Sequence, residues 1–474
     1  MGAQPSKDLE LEEYLSYFSL EERAKLEQTF KQILGEKCDS AIDCFNLDQL
    51  HRHLEPFLPA LMIERLHDEM ANVLNKSESH NRLVNYRSFV AAMAHLLKGN
   101  VHEKSHIVRR LATERKDSVS SPELLKFVEE MLSAFILIIT DTPQFISWRL
   151  GVTEASTEHL SLLLLHDLLY KDYPHTDVQH QHVSDQVYTE TDIEIWLTKC
   201  SLMVMVLEMV FRACFKVLSE SSLQEAAASQ SQNYGFQPLP FCVGVDWKRF
   251  KTLLDIPSVL LLNSHIPPAY RSTWHLLFSS NVHGESFSSM LTRVVCQGPS
   301  ILLVRDKNGY VFGGFASEAW EPSTKFSGTA DSFVFTLVPR MGVYLATGYN
   351  SNFMYLAVNQ QTFPNGMGLG GQLNNFGIWL DANFDHGHST AGCTTFNSPQ
   401  LSAESHFRVD VVEVWRIGPE VVKDKVQRLD PSILDIDPEA KAMLSLINKG
   451  PVSEGLREKD PMADMPEEKN LLPL

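Results

Sequence analysis

Apolar residues recur every three to four positions through the first half of the chain, which is the spacing of one buried helix face. The clearest example begins at Ser19 and Glu22, a capping-box pair, and ends at Gly35. Further helices are predicted over 61–74, over 89–97, from Ser121-Pro122 onwards, and over the apolar run 193–218, with Thr191 and Glu194 as its cap. Residues 14–218 are therefore predicted to form an all-helical half.

Two stretches between these helices, 38–49 and 77–88, have the length of the calcium loop of an EF-hand. With Val84 at the hydrophobic eighth position, Arg82 stands where glycine is required and Ser88 where a bidentate glutamate is required. The stretch 38–49 is equally poor in carboxylates. The helical half is thus interpreted as EF-hand-like, with degenerate loops that do not bind calcium. A polar loop with His175, His180 and His182 is interpreted as solvated, not as a metal site.

A different pattern follows from residue 219, where a run rich in Ser, Gln and Ala replaces the helical period. We interpret 219–242 as a linker. Short aromatic and β-branched strands then alternate with glycine and asparagine turns, at 301–304, 310–315, 333–337, 353–358, 376–380 and 409–415, with one helix at 286–296. Residues 243–417 are predicted to form a two-layer antiparallel β-sandwich with helices, so the whole chain is an α+β multidomain protein.

The C-terminal extension, 418–450, contains one further predicted helix that begins at Asp437-Pro438 and ends at Gly450. Its apolar stripe consists of Ala440, Met443, Leu444 and Ile447. A helix of this length is marginal alone, so it packs either on its own domain or in a partner's groove. Residues 451–474 are rich in proline and charge and are predicted to be disordered.

Charge and cysteine content narrow the function classes. The 474 residues include 41 Lys and Arg against 59 Asp and Glu, a net charge of -18, which disfavours a nucleic-acid partner. The seven cysteines form no C-x-x-C pair, which disfavours zinc ribbons and disulfide frameworks. With neither a signal-peptide pattern nor a long uncharged apolar run, the chain is expected to face a reducing cytosol.

The first residues, Met1-Gly2 to Ser6, match the pattern for N-myristoylation of Gly2. The alternative is an unmodified start, and both interpretations stand. Residues 1–13 are expected to be flexible. A single myristoyl chain binds membranes with a constant of only about 10⁴ M⁻¹, and acidic residues follow it here instead of a basic cluster. Stable membrane residence therefore requires a second contact, which we expect to be a protein.

The β-rich half resembles the TLDc family through motifs that run in order over 243–417. The most specific is Gly309-Tyr-Val-Phe-Gly-Gly-Phe-Ala-Ser-Glu-Ala-Trp320, followed by Asp331-Ser-Phe-Val-Phe335, Phe376-Gly-Ile-Trp-Leu-Asp381, His386-Gly-His-Ser389 and Val412-Glu-Val-Trp415. The residues that match the family pattern, and are expected to define the domain or contact its partner, are Gly313, Gly314, Phe315, Glu318, Trp320, Gly328, Gly371, Trp379, His386, Glu413 and Trp415.

The resemblance implies a non-enzymatic adaptor, without cofactor or metal, whose TLDc domain binds the vacuolar proton ATPase and which acts with mTOR pathway components in nutrient signalling. It further implies a place on the cytosolic face of the lysosomal membrane, with a cytoplasmic pool. The alternative is an oxidation-resistance protein, or a metal or thiol enzyme, that uses the Asp385–Cys393 cluster, in which Asp385, His386, His388 and Cys393 closely follow Asp381.

Two further patterns are interpreted structurally. Residues 366–371 satisfy G-x-G-x-x-G but open no helix, so we predict a tight glycine loop between strands and no dinucleotide site. Glu318 and Glu413 are the carboxylates available for an acid–base pair. Buried carboxylates equally accept hydrogen bonds that fix loops, and we favour that role or a partner contact.

Overall fold

The computed structural model describes residues 7–35, 43–74, 83–114, 116–140, 142–169, 186–217 and 239–419. These residues all belong to one unit, Met1–Glu420. Gly2, the histidine-rich loop, the C-terminal helix with Met443, Leu444 and Ile447, and the tail 451–474 lie outside the described residues.

The first half is helical, as predicted. Its helices are α1 (Lys7–Ser16), α2 (Leu20–Leu34), α3 (Leu47–Leu54), α4 (Ala60–Asn72), α5 (Tyr86–Lys98), α6 (Val101–Ala112), α7 (Ser121–Ile139), α8 (Pro143–Ser147), α9 (Glu154–Leu164), α10 (His166–Leu169), α11 (Glu190–Lys199) and α12 (Ser201–Cys214). The predicted capping box of Ser19 and Glu22 is present, and Gly35 ends α2. Proline stands in the first turn of α7, where its missing N–H costs nothing.

Helix α1 lies partly inside the segment 1–13 that was expected to be flexible. The expectation is wrong from Lys7 onwards, because the helix packs against α5 and places Leu11, Tyr14 and Leu15 on the helical core. Such packing stabilises a short helix that its own propensity would leave marginal.

The apolar run 193–218 is two helices, not one. The cap is Thr189, whose hydroxyl accepts from the Asp192 N–H while Asp192 accepts from the Thr189 N–H, so the predicted cap of Thr191 and Glu194 is wrong by two residues. The helix stops at Cys200, which has non-helical backbone angles, and α12 starts at the next residue. The pattern of apolar residues does not reveal this break because both helices are buried on the same core.

Four of the helices follow a short strand, and the strands form two antiparallel pairs. β1 (Cys44–Phe45) pairs with β2 (Val84–Asn85), and β3 (Ser118–Ser120) pairs with β4 (Val187–Thr189). Loop, strand and helix in this order are the arrangement of paired EF-hands. Val84 lies opposite Phe45, which agrees with its predicted place at the hydrophobic position. The second pair has no counterpart in the sequence analysis.

The last positions of an EF-hand loop normally supply calcium ligands. Here the residues at those positions instead cap the helix that follows. Ser120 and Glu123 form a reciprocal capping box at the start of α7. Glu123 also accepts from Thr113 Oγ1 and pairs with the ammonium of Lys116 at 3.1 Å. Burial acts to raise the pKa of Glu123, but hydrogen bonds from Ser120 and its other partners outweigh it and lower the pKa to about 2. This carboxylate is therefore fully engaged within its own loop.

The second half contains a large, mostly antiparallel sheet and several short helices. Its strands are β5 (Phe241–Val243), β6 (Thr273–Ser279), β7 (Ser300–Asp306), β8 (Val311–Ala316), β9 (Phe333–Val338), β10 (Gly342–Leu345), β11 (Met354–Ala357), β12 (Gly366–Gln372), β13 (Asn375–Asp381), β14 (His386–His388) and β15 (His406–Ile417). Its helices are α13 (Ile256–His265), α14 (Ser280–His283) and α15 (Phe287–Val294).

The strand order is β10-β9-β8-β7-β15-β14-β13-β12-β11, with β6 also beside β15 and β5 parallel to β6. The long strand β15 pairs with β14 near its start and with β6 near its end, so it joins two arms of the sheet. The arms face each other, since a Cβ built at Gly314 on β8 would come within 2.5 Å of Leu369 on β12. The predicted two-layer α+β architecture is confirmed.

Two predicted segments differ from the observed strands. β5 lies across the end of the segment interpreted as a linker, because Phe241–Val243 add a parallel strand to β6. The glycine-rich segment 366–371 is not a loop: it lies within β12 and pairs with β11 and β13. Glycine is a poor strand former in isolation, and only the packing around β12 explains its presence there.

Successive side chains of β7 point to opposite faces of the sheet and pack in two different hydrophobic cores. Ile301 and Leu303 join the core that contains the helical half, whereas Leu302 and Val304 join the core between the two sheet layers. The arm of the sheet that contains β7 is thus buried on both faces. The helical half and the sheet therefore share one continuous core.

Candidate functional site

The predicted residues of β8 have packing roles. A Cβ at Gly313 would come within 3.0 Å of the Leu302 carbonyl carbon and closer still to its oxygen, and Gly314 lies against β12. Phe315 points to the opposite face, where it is fully buried with the helical half. Gly313 therefore permits close approach of the neighbouring strand β7, Gly314 permits close approach of β12, and Phe315 contributes to the core.

Trp320 and Glu318 fix the segment after β8. Trp320 is buried and its Nε1 donates to Ser300 Oγ at 2.9 Å. Glu318 is exposed, and its carboxylate accepts from the Gly328 N–H at 3.0 Å. Gly328 has a φ of +91°, which only glycine adopts without strain. These three predicted residues hold the loop between β8 and β9 in place.

Trp379 on β13 explains the glycines of β12. It stacks on Phe376 with ring centroids 4.5 Å apart, and Tyr355 completes a buried aromatic cluster. A Cβ at Gly368 would come within 2.7 Å of Phe376 and 2.9 Å of Trp379. The glycines leave room for aromatic rings, so the G-x-G-x-x-G pattern has a packing role here.

Glu413 lies in the interior of the sheet with no exposed surface. Its carboxylate accepts from Thr252 Oγ1 at 2.7 Å, from the Leu253 N–H at 2.8 Å and from Trp415 Nε1 at 3.0 Å. Burial raises the pKa of Glu413 to about 7, partly opposed by these hydrogen bonds. Glu413 thus holds the segment before α13, whereas Glu318 holds a different loop. Both carboxylates therefore have the structural role that we favour over an acid–base pair.

Trp415 also joins the two halves of the protein. Its ring lies against Trp148, which follows α8 and donates from Nε1 to the Pro240 carbonyl at 2.8 Å. Trp274 and Trp247 pack on other sides of Trp148. The sequence analysis missed this tryptophan cluster, because Trp148 stands far from the other three along the chain.

The alternative catalytic cluster is dispersed. His386 is exposed, with its Nδ1 at 3.2 Å from Asp385, whose carboxylate also lies near Arg408. His388 stacks on Trp379, and burial lowers its pKa. Cys393 is buried, and burial raises the pKa of its thiol. Among the residues that the structure describes, no group of three or more His, Cys, Asp or Glu side chains is arranged to hold a metal ion.

Large apolar side chains are exposed at a strand end and in two connecting segments of the sheet. Tyr349 is 79% exposed, Leu345 at the end of β10 is 58% exposed, and Leu373 in the β12–β13 turn is 38% exposed. We call Leu345, Tyr349 and Leu373 the end surface. Exposed aromatic and aliphatic side chains on ordered loops are typical of protein-contact surfaces.

The loop that carries Tyr349 is held by a polar network. Thr347 donates its N–H to the Thr395 carbonyl at 2.8 Å, and Asn350 accepts from Thr395 Oγ1 at 2.8 Å. Thr395 Oγ1 in turn accepts from the Gly371 N–H at 2.8 Å, and Asn352 donates to the Gly371 carbonyl. The predicted residue Gly371 therefore connects this loop to β12, two residues before Leu373.

Comparison with known proteins agrees with this architecture. The profile of the TLDc domain matches residues 248–418. The chain is 34% identical to mouse MTOR-associated protein MEAK7 over 463 residues, which covers 96% of this chain and 98% of that protein. It is 35% identical to the chicken protein of the same name over 461 residues, with 94% and 96% covered.

A shorter match, 32% identical over 188 residues, relates the chain to rat oxidation resistance protein 1, covering 38% of this chain and 22% of that protein. The chain therefore belongs to the TLDc family, and its similarity over nearly its whole length is to MTOR-associated proteins. Within the described residues, none of the helices combines the length and apolar content needed to span a membrane.

Proposed function

We propose that this protein is a non-enzymatic adaptor that binds the vacuolar proton ATPase through its TLDc domain and acts in mTOR-linked nutrient signalling. The observation that carries the proposal is the end surface, where Leu345 is exposed at the end of β10 and Tyr349 on the following loop, which hydrogen bonds tie to the sheet. The similarity to proteins named MTOR-associated supports the signalling role. The family resemblance supplies the ATPase as partner.

The end surface suits a protein contact because it is ordered before binding. Thr347, Asn350 and Asn352 already make the hydrogen bonds that fix the loop. A preorganised loop loses little conformational entropy on association, so more of the contact energy appears as affinity. Tyrosine is enriched among the residues that dominate such energies.

The proposed location is the cytosolic face of the lysosomal membrane, with a cytoplasmic pool. A myristoyl chain on Gly2 provides one weak anchor, and the TLDc domain provides the protein contact. Because both belong to one chain, binding of one raises the effective concentration of the other. The predicted helix with Met443, Leu444 and Ile447 is a candidate for a second contact in the same complex, and deletion of 437–450 tests it.

The decisive experiment is recovery of the vacuolar ATPase from detergent-solubilised lysosomal membranes. The test variant is Leu345→Ser with Tyr349→Ser, both on the end surface. The matched control is Leu83→Ser with Ile195→Ser, which changes two similarly exposed apolar residues in the helical half. We expect at least a tenfold loss of recovered ATPase for the test variant, since two such truncations typically cost about 2 kcal/mol or more.

The outcome separates the role of the myristoyl anchor on Gly2 from the role of the protein contact through the end surface. Gly2→Ala protein is expected to recover the ATPase from detergent as well as wild type, because no bilayer remains for the acyl chain to bind. If the end-surface variant recovers as much ATPase as the control, the end surface is not the contact. If wild type recovers none, the adaptor proposal itself fails.

A further inference from the structure

His106 on α6 lies between carboxylates from two other helices. Its Nε2 is 3.5 Å from Glu69 Oε1 on α4, and its Nδ1 is 3.2 Å from Glu190 Oε2 on α11. Helix α4 precedes a strand of the first pair, β1–β2, whereas α11 follows a strand of the second pair, β3–β4. A single imidazole therefore connects the two strand-paired units of the helical half.

Two arginines of α6 hold the same carboxylates. Arg109 Nε donates to Glu190 at 2.8 Å, and Arg110 Nε donates to Glu69 at 2.9 Å. Other charged or titratable groups on the elements packed against α6 include Arg65 on α4, which donates to the Leu111 and Ala112 carbonyls, His95 on α5, and Glu194 with its partner His102. Lys116 and Glu123 form a further pair near the end of α6. Each of the two carboxylates that face His106 is thus already paired with an arginine, which stays charged.

The Nδ1 atom of His106 has two possible partners of opposite character. Glu190 Oε2 lies at 3.2 Å and accepts hydrogen bonds, whereas Arg109 Nη2 lies at 3.3 Å and donates them. A protonated Nδ1 donates to Glu190. An unprotonated Nδ1 accepts from Arg109 and leaves Glu190 to the Arg109 Nε alone. Loss of one proton therefore removes one of the ties between α6 and α11.

We propose that His106 is a proton-operated clasp that ties α4 to α11 through α6 when it is charged and loosens α11 when it is neutral. The clasp is a property of the helical half and does not depend on the function proposed above. Its opening weakens the attachment of α11, which carries the buried residues Ile193, Trp196 and Leu197.

The charges around the ring set the direction of the response. The hydrogen bond to Glu69 raises the pKa of His106, although burial opposes it. Burial also acts to raise the pKa of Glu69, but hydrogen bonds from His106 and Arg110 outweigh it and hold that pKa below its ordinary value. Burial likewise acts to raise the pKa of Glu190, but hydrogen bonds from Arg109 and His106 outweigh it and lower that pKa. Both carboxylates therefore stay ionised while the imidazole titrates. The clasp is closed below the ordinary histidine pKa and opens as pH rises through the higher folded-state pKa.

The test is hydrogen–deuterium exchange of the full chain at about pH 6 and about pH 8.5, with rates corrected for intrinsic exchange. We expect protection in 190–199 to fall about fivefold between these values in wild type, a modest effect because His106 is partly exposed. His106→Gln removes the titrating group and is expected to abolish the difference. His102→Gln, one turn earlier and paired with Glu194, is the matched control and is expected to retain it.

The proposal is overturned if wild-type protection is the same at both pH values, or if His106→Gln retains the wild-type difference. A second measurement uses the wild-type protein alone, so it does not depend on whether a variant folds. The imidazole carbon resonance of His106 in the full chain is expected to titrate above the ordinary histidine range, and a midpoint at or below that range also overturns the proposal.

Discussion

Trp148 and Trp415 lie with their ring centroids 5.3 Å apart, and this contact joins the helical half to the TLDc sheet. Trp148 precedes the residues 248–418 that match the family profile, and Trp415 lies within them. Trp415 also donates to the buried Glu413 at 3.0 Å. The junction therefore couples the packing of the helical half to the hydrogen bonds of the sheet interior.

Trp148→Ala is expected to destabilise the protein by about 3–5 kcal/mol, the usual cost of removing a buried aromatic side chain. Trp148→Phe keeps part of the packing but leaves the buried Pro240 carbonyl without its donor, so we expect a loss of about 1–3 kcal/mol. Urea unfolding of the full chain measures both. Equal stability of wild type and the alanine variant would show that the junction does not stabilise the fold.

The second prediction concerns pH and Glu413. Its folded-state pKa of about 7 lies above the ordinary 4.5, so the folded protein holds this proton more tightly than the unfolded chain. The stabilisation is complete below the ordinary value and is lost as pH rises through about 7. The stabilisation lost over this pH range amounts to about 3 kcal/mol.

Glu413→Gln cannot titrate, so the variant is expected to lose this component of the pH response between about pH 5 and pH 8. The measurement is urea unfolding at both pH values, compared with wild type. Glu318→Gln, which alters an exposed carboxyl bonded to the Gly328 N–H, is the control and is expected to follow wild type. A Glu413→Gln response as steep as that of wild type would contradict the prediction.

The third prediction concerns the glycine strand. Gly368→Ala places a methyl group against Phe376 and Trp379, and overpacking of this kind costs about 1–3 kcal/mol. A Cβ at Gly151 would have no neighbouring atom within 4 Å, so Gly151→Ala is the matched control and is expected to be neutral or slightly stabilising. Thermal unfolding midpoints compare the two. A Gly368→Ala protein as stable as the control would mean that the aromatic cluster accommodates the added methyl group without loss of stability.

Several helices and six of the strands follow from sequence because their signals are local. Ser19, Glu22 and Gly35 mark α2 through capping chemistry, and short apolar runs bounded by turn residues mark β7 and β13. The glycine strand β12 could not be predicted, because what stabilises it is the pair of rings on β13. Trp148 has no local signal either, since its partners are distant in the chain.

The candidate site was predictable only in part. The family motifs locate Glu413 and Trp415, but their burial and their common hydrogen bond depend on the packed sheet. The end surface was missed because Tyr349 and Leu345 lie in no motif. Exposure of an apolar side chain is a property of the folded surface, and the sequence pattern does not report it.

The last prediction separates the adaptor proposal from the thiol-enzyme alternative. Cys393 is buried beside Gly370 and Gly377, where a Cβ would come within 2.7 and 2.9 Å of its sulfur, and burial raises the pKa of its thiol. A neutral, enclosed thiol reacts slowly. Cys296 is exposed and is expected to react before Cys393 when the native protein is treated with a thiol reagent at about pH 7 and mapped by mass spectrometry. Modification of Cys393 ahead of Cys296 would favour a reactive thiol in this cluster, whereas modification of Cys393 only after unfolding is the result that its packing predicts.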